Sequence, residues 1–289
     1  MSWQEWVSGG PVLTDGAWGT ELQKLGLGLG ECPDAWNLSH PEKVADVARC
    51  YRESGSRVIL TNTFRANPIS LAGHGLADRC AEINRVGVEV SRRAADGALV
   101  FASIGPSGRL LAAGDVTEEE LSAAFCAQVR ALASDGPDAL LLETFSELEE
   151  ARIALRTAKT TGLPVIVSFA FDTGKNKDRT MTGVTPEQAA KAMTESGADA
   201  VGANCGVGIG QLVSVCRRMR AATHLPLWMK PNAGLPEVVD GVVEYRVTAG
   251  QFASFVPSLR EAGATFMGGC CGTDPQFIRA AAAALFPCA

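Results

Sequence analysis

Three cysteines carry the most evident chemistry in this chain of 289 residues. Cys270 and Cys271 are adjacent in MGGCCGTDP, and Cys205 ends the apolar run VGANC. Thiolates bind zinc readily, and a catalytic zinc site keeps three protein ligands and one open position. A substrate thiol that binds at the open position loses its proton and becomes a nucleophile near neutral pH. The three cysteines therefore predict a zinc-thiolate enzyme that acts on a sulfur compound.

Eight short apolar runs alternate with longer helical patterns along the chain. A strand-helix unit that recurs eight times over about 270 residues predicts a (β/α)8 barrel, here a single domain of residues 1–289. Strand order cannot be read from one sequence, so a doubly wound sheet is the structural alternative. The predicted strands are 12–15, 57–62, 99–104, 139–143, 165–170, 200–204, 227–230 and 264–268.

The helical segments carry residues that typically begin helices. Thr117 precedes three glutamates, which predicts a capping box closed by Glu120. Pro186 after Thr185 predicts a second well-defined helix start. The predicted helices are 41–54, 77–95, 118–134, 147–160, 186–196, 211–220, 249–261 and 275–285.

The polar residues that end the predicted strands form the candidate site, because barrels of this kind carry active sites at the carboxyl ends of their strands. Cys205 follows the sixth predicted strand, and Cys270 and Cys271 follow the eighth. Asp15 ends the first strand and Glu143 the fourth, where two carboxylates could hold the ammonium group of a thiol-bearing amino acid. The same rim carries the Asn62 side chain and the backbone amides of Trp18 and Gly19, which could receive a carboxylate.

Four other interpretations remain open from these residues alone. Asp15 precedes a glycine and is also a common turn former. Lys230 at the end of the seventh strand could form a Schiff base, as in barrel aldolases. The glycines of segment 206–210 loosely resemble a dinucleotide loop, without its full spacing. The thiols could also serve a non-enzymatic zinc or redox sensor.

Composition and charge exclude several classes of protein. The chain has 26 basic and 32 acidic residues, a net charge of −6 without a basic patch, which is unfavourable for nucleic-acid binding. No apolar run approaches the roughly 20 residues of a membrane span, and the start lacks a signal-peptide pattern. Scattered cysteines then favour reduced thiols and a cytoplasmic location. The two longest connections, 172–184 and 232–248, are expected to be lids or partner surfaces. Packing or surface roles are expected for the other cysteines and the histidines: Cys32, Cys50, Cys80, Cys126, Cys216, Cys288, His40, His74 and His224.

Six motifs spread over nearly the whole chain resemble the homocysteine S-methyltransferase family: TDGAWGTEL, ILTNTF, LLETF, GANCG, PNAGLP and GGCCGTDPQFIRA. PNAGLP and TNTF look most like the homocysteine-binding module of cobalamin-dependent methionine synthase, and betaine–homocysteine methyltransferase is a related branch. The resemblance implies a (β/α)8 barrel in which Cys205, Cys270 and Cys271 bind a catalytic Zn²⁺. It also implies that Asp15 and Glu143 bind the homocysteine amino group. Further substrate contacts are expected from Asn62, Thr63 and Phe64 of TNTF, and Asn232 is the expected fourth zinc ligand without substrate.

The implied reaction is methyl transfer to the zinc-bound homocysteine thiolate, which gives methionine. The betaine branch uses aromatic residues to enclose its quaternary ammonium donor. This chain has Cys32 and Arg65 at two of those positions, which argues against betaine, although Trp18, Phe64 or Trp36 could face a cationic donor. The expected donor is therefore a small onium compound such as S-methylmethionine, or a separate corrinoid protein that carries methylcobalamin. The sequence does not indicate an oligomeric state.

Overall fold

The computed structural model describes residues 3–206, 208–239 and 242–287. Eight parallel strands form one sheet, in which each strand pairs with the barrel strands before and after it in the chain. A parallel bridge between Thr14 and Val58 joins the two end strands, so the sheet closes into a barrel. This confirms the predicted (β/α)8 barrel and excludes the doubly wound alternative. The barrel strands are β1 (Val12–Leu13), β2 (Val58–Leu60), β3 (Leu99–Ile104), β4 (Ala139–Phe145), β5 (Val165–Phe169), β6 (Ala200–Cys205), β7 (Leu227–Pro231) and β10 (Ala264–Met267).

Helices surround the barrel and follow the predicted order. The capping boxes at Thr117 and Thr185 are present, each with the backbone and side-chain bonds of the motif. The helix predicted from residue 77 begins with a 3₁₀ turn, Ala77–Arg79, before regular α-helix. The α-helices are α1 (Trp3–Ser8), α2 (Gly19–Lys24), α3 (Trp36–Ser39), α4 (Pro41–Glu53), α5 (Pro68–Ala72), α6 (Cys80–Ala95), α7 (Glu118–Ala133), α8 (Leu148–Ala158), α9 (Pro186–Glu195), α10 (Ile209–Ala222), α11 (Ala249–Glu261) and α12 (Pro275–Leu285).

The short helix α1 was not predicted, and it closes the amino-terminal end of the barrel. The Trp3 ring stacks on Phe266 with 5.7 Å between centroids, and Trp6 lies 6.0 Å from the Phe101 ring. Six residues are too few to show a helical period, so only these contacts with the barrel interior define the segment. No helix within the described residues is long and apolar enough to cross a bilayer.

The barrel interior changes from apolar to polar along the strands. Its lower layer is aromatic, with the rings of Phe101, Trp228 and Phe266 5.4 to 6.0 Å apart. Side chains alternate between the two faces of a strand, so the inward residues two positions further on form the next layer. In that layer lie the buried polar side chains of Ser103, Glu143, Ser168, Asn204 and Lys230. The polar layer of the core is therefore also the floor of the candidate site.

Gly202 on β6 lies directly against the backbone of its neighbour β7. A Cβ atom there would lie 1.9 Å from the carbonyl oxygen of Trp228 on β7. We expect Gly202→Ala to lower the free energy of unfolding by about 3 kcal/mol or more, because two paired strands must move apart. Gly250→Ala is the matched control, since a Cβ in that first turn of α11 meets no atom within 4 Å. Urea unfolding should show the control unchanged or stabilised by up to about 1 kcal/mol, and equal loss in both variants would contradict this prediction.

The two long connections contain contacts and secondary structure that were not predicted from the sequence. Segment 172–184 is tied to α10, where Gln211 donates to the carbonyl oxygen of Asn176 at 2.6 Å and Arg218 pairs with Asp178. Segment 232–248 contains an antiparallel hairpin, β8 (Pro236–Val239) and β9 (Val242–Tyr245), so the eighth barrel strand is β10. Residues 240–241, Val207 of the glycine-rich segment and Cys288 lie outside the described residues. Whether either connection acts as a lid or a partner surface stays a prediction.

Candidate metal and amino-acid site

The three predicted cysteine ligands converge at the carboxyl end of the barrel. Cys205 is the last residue of β6, and Cys270 and Cys271 lie in the turn after β10. The sulfur of Cys205 is 2.9 Å from that of Cys270 and 3.7 Å from that of Cys271, and all three sulfurs lie within 4.8 Å of one another. The described cysteines are free thiols. Residues 65 positions apart in sequence therefore form one cluster, as the barrel prediction requires.

The donor set fits zinc. A tetrahedral site with Zn–S bonds of about 2.3 Å has S–S edges of about 3.8 Å. The separation of Cys205 and Cys271 matches that edge, and the closer contact with Cys270 would open to reach it. Soft sulfur donors in this number favour zinc over magnesium or calcium, which take oxygen ligands.

The thiols cannot all be ionised without a cation. Hydrogen bonds from Cys205 and Cys270 hold the pKa of Cys271 well below its usual range. The contacts with Cys270 and Cys271, and then burial, raise the pKa of Cys205 well above that range. For Cys270 the contact with Cys205 lowers the pKa, but the contact with Cys271 and burial outweigh it and raise the value to about 12. One shared negative charge is thus the preferred state of the three thiols by themselves, and a divalent cation would remove this restriction.

Asn204 ties the cysteine cluster to the end of β4. Its side-chain oxygen accepts the backbone N–H of Thr144 at 2.9 Å and the Ser168 hydroxyl at 2.6 Å. Its amide nitrogen donates to the Thr144 hydroxyl at 2.7 Å. Thr144 and Cys205 both have positive φ, at 66° and 58°, a conformation that costs free energy for residues with side chains. The side chain of Asn204 therefore holds the backbone turn that follows Glu143, and the second such turn, at Cys205, comes directly after Asn204 in the chain.

Glu143 lies buried beside this cluster. One of its oxygens accepts the Ser103 hydroxyl at 2.5 Å. Burial raises the pKa of the Glu143 carboxyl to about 7, while the charge of Lys230 opposes the rise. A buried carboxylate with a single described hydrogen bond gains from a cationic partner. The position of Glu143 therefore suits an ammonium group.

Asp15 already has protein partners, which its sequence position did not indicate. It is fully buried and pairs with the Lys230 ammonium, and its other oxygen accepts the Trp18 ring N–H and the Leu60 backbone N–H, both at 2.8 Å. A carboxylate accepts about four hydrogen bonds, so one position remains for a substrate. Burial lowers the pKa of Lys230, but the charges of Asp15 and Glu143 outweigh it, and the pKa lies above its usual value. A protonated amine is not a nucleophile, which argues against the Schiff-base alternative.

Asn232 lies next to the cysteine turn. Its amide nitrogen donates to the Gly206 carbonyl oxygen at 2.9 Å, and the following backbone N–H, of Ala233, donates to the Cys271 carbonyl oxygen at 3.0 Å. The side-chain oxygen of Asn232 is buried without a hydrogen-bond partner in the structure. An unpaired oxygen in a segment that is hydrogen-bonded to the cysteine turn is compatible with a fourth metal ligand. That role of Asn232 stays a prediction.

Tyr245 is a site residue that sequence reasoning missed. The β8–β9 hairpin carries it to the cysteine turn, where its hydroxyl helps to lower the pKa of the Cys271 thiol. Burial, and next the negative charge of Cys271, raise the pKa of Tyr245. Its ring covers Gly272, where a Cβ would lie 2.2 Å from the ring. The glycine after the cysteine pair was the available signal, but only the folded hairpin shows what it faces.

A cavity of about 400 Å³ is lined by Glu143, Lys230 and the three cysteines, whereas Asp15, Asn232 and Tyr245 are not among its lining residues. Four of the predicted substrate contacts, Trp18, Gly19, Asn62 and Phe64, also line it, and the Thr63 hydroxyl is buried behind it and donates to the Ser103 carbonyl oxygen. The amide nitrogen of Asn62 donates to the Pro33 carbonyl oxygen at 2.7 Å and to the Asn37 side-chain oxygen at 3.0 Å. The other lining residues were not among the predicted metal ligands and substrate contacts: Gly16, Ala17, Thr20, Gln23, Pro33, Asp34, Leu60, Thr61, Arg65, Ser103, Thr144, Lys230 and Gly269.

Known proteins are similar to this chain in sequence and in fold. A sequence profile described as homocysteine S-methyltransferase matches residues 12–285. The chain belongs to the homocysteine S-methyltransferase family. Methionine synthase of Mycobacterium tuberculosis is 30% identical over 291 residues, which cover 95% of this chain and 24% of that protein. Betaine–homocysteine S-methyltransferase 1 of Danio rerio is 29% identical over 95% of this chain and 73% of its own length.

The solved structures agree with this family. The metallated form of the homocysteine methyltransferase MmuM from Escherichia coli superposes with a TM-score of 0.78 at 25% identity, over 93% of this chain and 94% of MmuM. Betaine–homocysteine S-methyltransferase 1 and MmuM are methyltransferases by name, and the MmuM barrel matches this one. The chain spans about a quarter of the length of the methionine synthase it matches.

Proposed function

We propose that this protein is a zinc-dependent homocysteine S-methyltransferase that forms methionine. The observation that carries the proposal is the juxtaposition of three cysteine sulfurs, within 4.8 Å of one another, with the buried Glu143 on one cavity. Sulfur ligands suit a metal that binds a thiol, and a buried carboxylate suits an amino group. Membership of the family supports the same acceptor.

Each part of the acceptor has a candidate partner. Cys205, Cys270 and Cys271 would hold the zinc, and Asn232 would occupy its fourth position without substrate. Zinc held there supplies an open position at which the acceptor thiol is deprotonated near neutral pH. Glu143 would accept the ammonium group, with the remaining acceptor position of Asp15 beside it. The backbone amides of Trp18 and Gly19 would face the carboxylate.

The transfer itself needs no general base from the protein. The thiolate sulfur of homocysteine forms the new S–CH₃ bond while the bond between methyl and donor breaks, and the donor leaves with that electron pair. The site contributes by placing sulfur and methyl in line and by excluding water. Trp18 and Phe64 line the mouth of the cavity and supply apolar walls for this step.

The mouth of the cavity favours a corrinoid-bound methyl group over a small cation. Arg65 lines it with an exposed side chain, and a positive charge there disfavours a cationic donor. Trp18 and Phe64 are the aromatic residues that line the cavity in the described structure, fewer than a full aromatic cage. Three exposed apolar side chains, Leu29, Met181 and Leu235, lie in the connections that follow β1, β5 and β7, at the end of the barrel from which a separate corrinoid protein would approach. A small onium compound such as S-methylmethionine is the alternative donor.

A donor panel tests the proposal. Zinc-loaded protein and homocysteine are incubated with methylcobalamin, methyltetrahydrofolate, S-methylmethionine, betaine, dimethylsulfoniopropionate or S-adenosylmethionine, and methionine is measured. We expect turnover with methylcobalamin, because the free cofactor can replace a corrinoid protein at high concentration. Fast turnover with an onium donor would move the donor assignment to that class. Absence of turnover together with absence of homocysteine binding would overturn the proposed function.

A further inference from the structure

Lys230 is a buried cation whose hydrogen-bonding capacity is only partly used. Its side chain is 2% exposed, and its ammonium group donates to Asp15. An ammonium has three N–H groups, and no second hydrogen bond from it to a described residue is present. The Trp228 ring lies below it, 5.7 Å from the nitrogen, while the side chain also lines the cavity. The unused donors therefore suit an acceptor that enters through the cavity.

The charges around Lys230 alternate in a way that fits an α-amino acid. Among the described residues that line the cavity, Lys230 is the buried cation, and Arg65 is exposed. Glu143 is a buried carboxylate near Lys230 but is not ion-paired with it. An α-amino acid carries an ammonium and a carboxylate on one carbon. With its ammonium on Glu143 and its carboxylate on Lys230, both of these buried side chains face an opposite charge, and the reverse orientation places like charges together.

We propose that Lys230 binds the α-carboxylate of the acceptor and thereby selects a full amino acid over a plain amine thiol. This inference rests on the proposed function, which supplies the thiol acceptor. Asp15 then acts partly through Lys230. Its other oxygen is fixed by Trp18 and Leu60, so the ion pair holds the ammonium of Lys230 toward the same loop that carries the Trp18 and Gly19 amides. The carboxylate is shared between that loop and Lys230.

The test compares two thiols on two proteins. Homocysteine and 3-aminopropanethiol have the same thiol-to-amine spacing, and only homocysteine has a carboxylate. Binding is followed by the visible absorption of Co²⁺-substituted protein, which changes when a thiolate joins the metal, so no methyl donor is needed. We expect Lys230→Met to weaken homocysteine about 10- to 100-fold, as for loss of a charge-assisted hydrogen bond, and 3-aminopropanethiol less than about threefold.

Two further variants keep the result interpretable. Lys159→Met removes an exposed lysine paired with Asp199 and should leave both thiols unchanged. Lys230→Met leaves Asp15 buried without its cation, so the double variant Asp15→Asn/Lys230→Met replaces it if the single variant does not fold. The double variant is compared with Asp15→Asn alone, and relative to that protein it should show the same selective loss of homocysteine.

The outcomes separate this inference from the proposed function. Equal weakening of both thiols, or no weakening of either, would overturn the role of Lys230 and leave the metal-thiol site in place. If neither thiol changes the Co²⁺ spectrum of the unmodified protein, the proposed function fails, and the role of Lys230 fails with it.

Discussion

Cys270→Ala is expected to remove both zinc and methyl transfer. Cys270 contributes one of the three sulfurs in the cluster, and two remaining thiols leave too few ligands for tight binding. Loss of a second-sphere partner alone typically costs 10- to 100-fold in affinity or activity, so loss of a ligand should exceed about 100-fold. Metal analysis after dialysis should fall from one zinc per chain to a small fraction, and methionine formation should fall in parallel.

The control for Cys270→Ala is another cysteine. Cys216→Ala removes a thiol that is fully buried on α10, where the sulfur contacts the Ala262 carbonyl oxygen, away from the cavity. That variant should lose about 1–2 kcal/mol of stability but keep its zinc and its turnover. A Cys270→Ala protein that keeps one zinc and full activity would remove the three-cysteine assignment. Matched loss in both variants would point to a folding defect instead.

Glu143→Gln is expected to weaken homocysteine binding strongly while zinc stays bound. Glutamine keeps the size and the Ser103 hydrogen bond but loses the charge that would pair with the ammonium group. Breaking a buried charge pair costs about 2 kcal/mol or more, so the KM for homocysteine should rise about 30-fold or more. Glu150→Gln is the control, because Glu150 is equally buried but accepts the Ser107 backbone N–H outside the cavity. An unchanged KM in Glu143→Gln would take this carboxylate out of the substrate site.

The raised pKa of Glu143 determines the direction in which protein stability and homocysteine affinity change with pH. The folded-state pKa of about 7 lies above the ordinary value of 4.5, so the folded protein without substrate binds a proton that the unfolded chain releases. The stabilisation from that proton is complete below about pH 4.5 and is lost as the pH rises through about 7. Above pH 7 the metal-free Glu143→Gln protein should therefore be more stable than the parent, by up to about 3 kcal/mol. Homocysteine needs the ionised carboxylate and also releases its thiol proton on binding, so its affinity should fall more steeply below pH 7 in the parent than in the variant, where only the thiol proton remains.

The chain order of strands and helices was readable because its signals are local. Apolar runs, capping boxes and glycines at helix ends depend on residues a few positions apart, and they gave the eight strands of the barrel. The barrel then brought Cys205, Cys270 and Cys271 together without further information, because all parallel strands end at the same rim. Sequence also identified Glu143, since a carboxylate after three leucines needs a reason to be buried.

Tertiary structure alone decided how the charges in the site are shared. Asp15 and Lys230 are 215 positions apart, and each end-of-strand residue was a plausible separate site residue until the structure paired them. Tyr245 reaches Cys271 only because segment 232–248 folds into a hairpin, and no local sequence pattern predicted that hairpin. Local sequence fixes which face of a strand a side chain takes. Which charge it meets across the barrel depends on long-range register and desolvation, and those exist only once the ring of strands has closed.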